Sequence, residues 1–336
     1  MVQLNEQIKA TIIADSINSK GDRITTMILE FPRIVLAEFN THRVLSKNSA
    51  SSRAIKFERM VKMVEENPFV PVRWMKEHSK MQGYEYIEDP EEIEKCRRAW
   101  LDGRDAAINS AKNLHNCLVT KQMCNRMLET YMIHTVLVTA TEWENFFALR
   151  AHPDAEIHIQ ELAFKMLDAY NASTPVEMQP GDWHIPFGEN IKDPKIWNIL
   201  YSQFGEDRFE SGATNPVKQP DFAQAYWEAK IKIATARCAR TSYLNYEGKD
   251  DYNADIRLHD TLLLNQPVHA SPAEHCAQAM TEREYIQHER RYLDVRGNLV
   301  KENGWCRNFQ GWKQYRTMLN NDTAIDSRVN KKTAIY

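Results

Sequence analysis

The spacing of apolar and polar residues changes period several times along this chain, and each change predicts an element. Ile8–Ile13 and Ile24–Phe31 are rich in β-branched residues, and Asn18-Ser19-Lys20-Gly21-Asp22 between them is turn chemistry, so a pair of strands is expected. Phe31-Pro32-Arg33 punctuates the chain, and the apolar run Ile34-Val35-Leu36-Ala37 predicts a further extended segment, Ile34–Phe39. In Ile55–Glu65 the period becomes helical, with Phe57, Met60, Val61 and Val64 on one face. Pro68 and Pro71 open a stretch through Tyr86 that reads as loop with short helical pieces. Glu91–Leu118, rich in Glu, Lys, Arg and Ala, predicts a long amphipathic helix. Further helices are expected over Lys121–Leu128, Thr141–Leu149, Ala155–Tyr170, Ala223–Ala239 and Asp255–Leu264. Ser173–Phe222 holds most of the mid-chain Pro, Gly and Asn, which makes 171–232 an irregular connection or an inserted lobe. Residues 321–336 read as a polar, frayed tail.

Composition narrows the classes. The chain has 336 residues, 43% of them apolar, enough for a substantial core. A formal net charge of -3 argues against a nucleic-acid scaffold or a membrane-surface protein. Apolar runs are far shorter than the ~20 residues of a membrane span, and Met1–Glu6 lacks the form of a signal peptide. Six cysteines without a Cys-x-x-Cys pair suggest free thiols, and a cytoplasmic protein is expected.

The densest chemistry lies in Thr41–Arg53. It offers one imidazole, two guanidinium groups, a Lys, an Asn and four Ser hydroxyls, with no acidic residue. Arginine supplies planar bidentate donors for phosphate or a pyrimidine carbonyl, and serines suit phosphate oxygens. A solvated loop would have the same composition. His42-Arg43 follows an apolar run that would hold it rigidly, and Ser51 and Arg53 would point the same way if the backbone is extended. Arg126 stands on an otherwise apolar helix, where a salt bridge is its simplest use. Arg150 lies near a helix end, with Asn145 and Leu149 on one face. His269-Ala270-Ser271-Pro272-Ala273-Glu274-His275 admits a zinc reading, though its spacing is not His-Glu-x-x-His, and a helix-start reading, with Ser271 as N-cap, Pro272 at N1 and Glu274 closing a capping box. Gly304–Trp312 clusters aromatics that would either pack a core or stack a flat ring, packing being the more expected.

Together these segments resemble the flavin-dependent thymidylate synthases. That family carries Arg-His-Arg, then seven residues, then Ser, with Arg two further on; His42, Arg43, Ser51 and Arg53 match, and Asn48 fits. Leu149-Arg150 with Ala155–Ala163 is similar to its Leu-Arg…Ala-Gln-x-Glu-Ile segment, Asn125–Leu128 to its Ala-Arg-x-x-Leu, and His269–His275 to its Gly-His-x-Ser-Pro-x-Glu-His. The last segment, and Ala239-Arg240-Thr241-Ser242, normally precede the Arg-His-Arg motif and here follow it, so the chain resembles a circularly permuted member. Thr41 replaces the family's first Arg, and Ser49 stands where a Glu is usual.

The resemblance implies an α+β fold, a helix-rich domain around a mostly antiparallel central sheet, forming one catalytic domain over residues 1–320. It implies reductive methylation of dUMP to dTMP, with methylenetetrahydrofolate as carbon donor and FAD reduced by NADPH as hydride source. Arg43, Ser51 and Arg53 would bind dUMP, Arg126 would reach it from a neighbouring subunit, and Arg150 would lie on the pyrimidine as the catalytic residue. His42, Asn145, Ser242, His269, Ser271 and Glu274 would line the flavin. A homo-oligomer, normally a tetramer, is expected, with no metal. The related outcomes are hydroxymethylation of dUMP or a cytosine nucleotide, and, further off, a non-catalytic nucleotide-binding protein. No Cys stands within these segments except Cys276 beside His275, which agrees with chemistry that needs no protein nucleophile.

Overall fold

The first two strands are where their β-branched residues put them. In a computed structural model, which describes residues 6–79, 83, 85–204, 222–241, 250–265 and 268–319, β1 is Lys9–Asn18 and β2 is Arg23–Pro32. They pair antiparallel from Lys9↔Glu30 to Ile17↔Arg23, with a bulge between Ile12 and Ala14. The turn is built by Asn18, whose Oδ1 accepts from Lys20 N and Asp22 N, and by Gly21 at φ 88°.

The run after Pro32 is helical instead of extended. Arg33–Val35 forms a 3-10 turn and Leu36–Asn40 forms α1, because Val35 and Phe39, four apart, both enter the core. The short strand β3, Ser46–Ser49, follows it. Beyond it come α2 (Phe57–Glu66), α3 (Pro90–Asn116) and α4 (Lys121–Arg126). Asp89 caps α3 by accepting from Glu92 N, with Pro90 at its first position. Between α2 and α3 the described residues form no helix, only a Met75↔Tyr86 bridge, so the short helical pieces expected there are absent.

A strand with no counterpart in the sequence reading, β4 (Ile133–Ala140), runs through the sheet. It pairs antiparallel with both β2 and β3, giving the order β3-β4-β2-β1-β5, where β5 is Val176–Met178. Seven of its eight residues are buried, so it lacks the alternation of a half-exposed strand. Helices α5 (Glu144–Arg150) and α6 (Ile157–Ala172) follow, and α6 lays Ile159, Leu162, Ala163 and Met166 against Met27, Leu29, Val136 and Val138 of the sheet. A second cluster joins α2, α3 and α4 through Met60, Val64, Ile108 and Leu128.

The chain divides into two compact units, Met1–Glu177 with Ala239–Glu247, and Met178–Cys238 with Gly248–Tyr336. The second holds a small sheet ordered β8-β7-β6, with β6 at Trp183–His184, β7 at Ala277–Ala279 and β8 at Trp312–Gln314. The segment expected to be irregular carries β5, β6 and α7 (Asp193–Phe204) in its described part. Pro194 sits in the first turn of α7, where its missing N–H is tolerated, while Ile196 and Leu200 are buried. Residues 205–221 and the tail from 320 lie outside the described residues. Helices α8 (Phe222–Arg240) and α9 (Tyr252–Leu263) match their expected spans closely. Trp305, Phe309 and Trp312 are buried and pack the core. The fold is mixed helix and sheet with antiparallel pairing, and no helix among the described residues is long and apolar enough to cross a membrane.

Candidate active site

The basic segment of Thr41–Arg53 is organised by the strand inside it. His42 lies just before β3 and Ser51–Arg53 just after it. Past Ser49, Ala50 N still bonds Thr135 O at 2.8 Å, and then the backbone turns, Ala54 N donating to Ser51 O at 2.9 Å. Ser51 and Arg53 are therefore on a turn and not in extended backbone. Asn125, wholly buried on α4, pins this turn by donating Nδ2 to Ser52 O at 2.7 Å and Ile55 O at 3.0 Å. Replacing Asn125 with Ala strips two buried carbonyls of their donor, and about 2–4 kcal/mol of stability is expected to be lost in urea unfolding. A loss below 0.5 kcal/mol would show that the turn holds itself.

The turn forms one wall of a cavity of about 570 Å³, lined among others by Arg33, Ser51, Ser52, Arg53, Arg126 and Glu129. It brings together three of the substrate residues expected from sequence. Arg126 does not take up a structural salt bridge. Both Arg126 and Arg53 are exposed and have no ion-pair or hydrogen-bond partner among the described residues. Arg126 shares this cavity with Arg53 of its own chain, so no neighbouring subunit is required to bring the two together.

Sequence reasoning missed Arg33, Ser52 and Glu129. Glu129 accepts Ser52 Oγ at 2.5 Å and Arg33 NH2 at 3.3 Å, and Arg33 NH1 lies 3.2 Å from His134 Nε2. Burial and the neighbouring Arg33 push the His134 imidazole down to about 3, so it stays neutral. The pairing of Pro32 with Ile133 in the sheet is what joins Arg33 to the Glu129–His134 segment. Ser49 also lines this cavity, and Glu129 is the one carboxylate among its lining residues.

On the other side of β3, Arg150 at the end of α5 donates Nε to His42 Nε2 at 3.0 Å and NH2 to Thr41 Oγ1 at 3.4 Å. Thr41 Oγ1 itself donates to Glu38 O at 2.6 Å. The residue that replaces the family's first Arg thus helps orient another Arg. His42 is buried edge-on against Phe146 at 4.9 Å. Burial, then Arg150 and Lys47, lower its pKa from 6.5 to about 4, so it meets Arg150 as a neutral acceptor.

A pH dependence follows. The unfolded chain binds protons at His42 and His134 near 6.5, whereas the folded chain refuses them until about 4 and about 3. Stability is full above pH 6.5 and falls as pH drops toward 4, by about 1–3 kcal/mol per histidine. Denaturation midpoints measured from pH 7 to 4 should show this slope, and His42→Gln should make it shallower while His134 keeps its share. An unchanged slope would contradict the neutral His42.

The remaining expected residues are dispersed. Arg43 is exposed in the turn before β3, and Asn145 is exposed on α5 beside Leu149. His269, Ser271 and Glu274 belong to the second unit, and Ser242 lies outside the described residues. Ser271–Glu274 is a 3-10 turn whose N-cap is Ala270, without a side-chain cap, so the expected capping box is not formed. Glu274 instead pairs with Arg316 through its carboxylate. The capping box of this region is Thr281 with Glu284, at the start of Glu282–Gln287. His269 is exposed while His275 is wholly buried, and among the described residues no group of three His, Cys, Asp or Glu is placed to hold a metal ion. Ala239–Thr241, the displaced segment of the permuted order, clusters with the first unit.

Comparison with known proteins gives one family. The family model described as Thymidylate synthase complementing protein matches residues 23–176, which span both the cavity and the His42–Arg150 pair. No curated protein matches the chain. Among solved structures, the UMP/dUMP methylase PolB from Streptomyces cacaoi bound with 5-Br UMP is 14% identical, covering 50% of this chain and 91% of that one at a TM-score of 0.40. Its form with 5-Br dUMP is 13% identical, covering 50% and 92% at a TM-score of 0.42. Residues 23–176 match the thymidylate synthase complementing protein family, the family of the flavin-dependent thymidylate synthases that the chain's motifs resemble.

Proposed function

We propose that the protein methylates dUMP reductively to dTMP, taking the carbon from methylenetetrahydrofolate and using FAD with NADPH as reductant. The observation that carries this reading is the cavity of about 570 Å³ with Arg53 and Arg126 both unneutralised beside Ser51. Two free guanidinium groups and a hydroxyl match a phosphate monoester. Arg43, exposed before β3 and not among the residues lining the cavity, meets the nucleotide away from its phosphate in this reading. Arg150 lies on the pyrimidine in this reading, where its charge stabilises negative charge that develops on the ring. Neutral His42 and Thr41 orient it.

The cysteines support chemistry without a protein nucleophile. Burial pushes the Cys276 thiol up to about 12, the reverse of what an attacking thiolate needs. Of the residues proposed for flavin, Asn145, His269 and Ser271 have exposed side chains able to meet a ligand, whereas Glu274 is engaged by Arg316 and His42 acts through Arg150. Bound flavin would supply the hydride, and the protein supplies orientation and charge. Assembly as a homo-oligomer, a tetramer by family resemblance, and a cytoplasmic location belong to the same proposal.

The test is anaerobic incubation of the purified protein with dUMP, methylenetetrahydrofolate, FAD and NADPH, with mass analysis of the nucleotide. dTMP is expected. A hydroxymethylated product would redirect the reading to the related reaction, and a protein that neither takes up FAD nor alters dUMP would overturn it.

A further inference from the structure

The cavity contains a carboxylate, which an anion site has reason to avoid. Glu129 lines it with Arg33, Arg53 and Arg126. Both of its oxygens are engaged: Oε2 takes Arg33 NH2 at 3.3 Å and Oε1 takes the Ser52 hydroxyl at 2.5 Å. The other Arg33 contact is His134, wholly buried and adding no charge. Arg33 is thus neutralised, and only Arg53 and Arg126 remain without a counter-ion among the described residues. A phosphate monoester carries about -2 near neutral pH, and two free guanidinium groups balance it. A diphosphate or triphosphate brings more negative charge into a concavity where the third cation is already spent and a carboxylate stands.

We infer that Glu129 is a specificity-determining residue: by cancelling Arg33 it holds the cavity at two free positive charges and selects nucleoside monophosphates over di- and triphosphates. The inference rests on the cavity being the nucleotide phosphate site. The bland alternative is that Glu129 only tethers the Ser51–Ala54 turn through Ser52. Loss of a tether would weaken every ligand alike. Loss of a counter-charge changes the ratio between ligands of different charge.

The experiment measures calorimetric affinities of the full-length protein for dUMP, dUDP and dUTP at fixed ionic strength without divalent metal. Glu129→Gln keeps an oxygen for Ser52 but frees Arg33, and the dUTP-to-dUMP affinity ratio is expected to rise about tenfold. Adding Arg33→Gln to Glu129→Gln removes the freed charge and should return the ratio to the wild-type value. Arg33→Gln alone leaves Glu129 unbalanced and should move the ratio the opposite way, which keeps the inference testable if Glu129→Gln fails to fold. Ser52→Ala, which alters the tether and not the charge, should leave the ratio unchanged. An unaltered ratio in Glu129→Gln and Arg33→Gln, with dUMP still bound, overturns the inference. A wild-type protein that binds none of the three nucleotides overturns the nucleotide reading itself.

Discussion

Arg150→Ala is expected to lower the rate of methylation by about 10²–10³-fold, the usual effect of removing one donor that stabilises developing charge. Its flavin content should change little. The geometry explains the split. Arg150 is aimed from two sides, by His42 Nε2 at 3.0 Å and by the Thr41 hydroxyl at 3.4 Å, and its NH1 group has no hydrogen-bond partner among the described residues. That leaves one edge of the planar fork for a ligand. Arg150→Lys should not restore the rate, because an ammonium cannot bond His42 and Thr41 while also presenting a donor edge. Single-turnover kinetics with pre-reduced enzyme separates this from flavin reduction by NADPH. Wild-type turnover in Arg150→Ala would remove Arg150 from the chemistry.

Arg53→Ala and Arg126→Ala are expected to raise KM for dUMP by about 10–100-fold each, with kcat altered far less, because a charge-assisted hydrogen bond contributes roughly 1.5–3 kcal/mol. Phosphate is bound equally in ground and transition states, so its loss appears in KM. Ser51→Ala, which removes a neutral donor, should cost less. The double variant should fall short of the product of the single effects, since both groups line one cavity and, in the proposed reading, would share one ligand. High salt should narrow the gap between wild type and variants, as both guanidinium groups are exposed. If either variant binds dUMP as tightly as wild type, that arginine does not hold the phosphate.

The elements read well where a helical period or a long β-branched run bounded by a turn marked them. The β-branched runs of β1 and β2, the Asn18–Asp22 turn, and the helical spacing of α2, α3, α6, α8 and α9 all announced themselves. Legibility failed where a buried run lacked turn residues to bound it or was short. β4 is buried almost throughout and shows no period, although its run Val136-Leu137-Val138-Thr139 carried a strand's composition. Ile34–Phe39 was too short for a period to separate strand from helix. Ser271–Glu274 had the letters of a capping box, and the box formed instead ten residues on, at Thr281 and Glu284, where a helix begins.

For the site, the sequence by itself determined the inventory: the guanidinium groups Arg43, Arg53, Arg126 and Arg150, the hydroxyl of Ser51, the imidazole of His42, and the motif spacing that tied them to one family. Residue type sets charge and hydrogen-bonding capacity, and these belong to the chain before it folds. Only the tertiary structure decided which of those charges are free. Arg33 and Arg53 are alike as letters. Sheet pairing brings Glu129 and His134 to Arg33, while Arg53 and Arg126 meet around a cavity with no counter-ion. Likewise His42 is an ordinary imidazole in sequence, and burial beside Arg150 makes it a neutral acceptor. Neutralisation depends on what lies within a few ångströms, and those neighbours come from segments far apart along the chain.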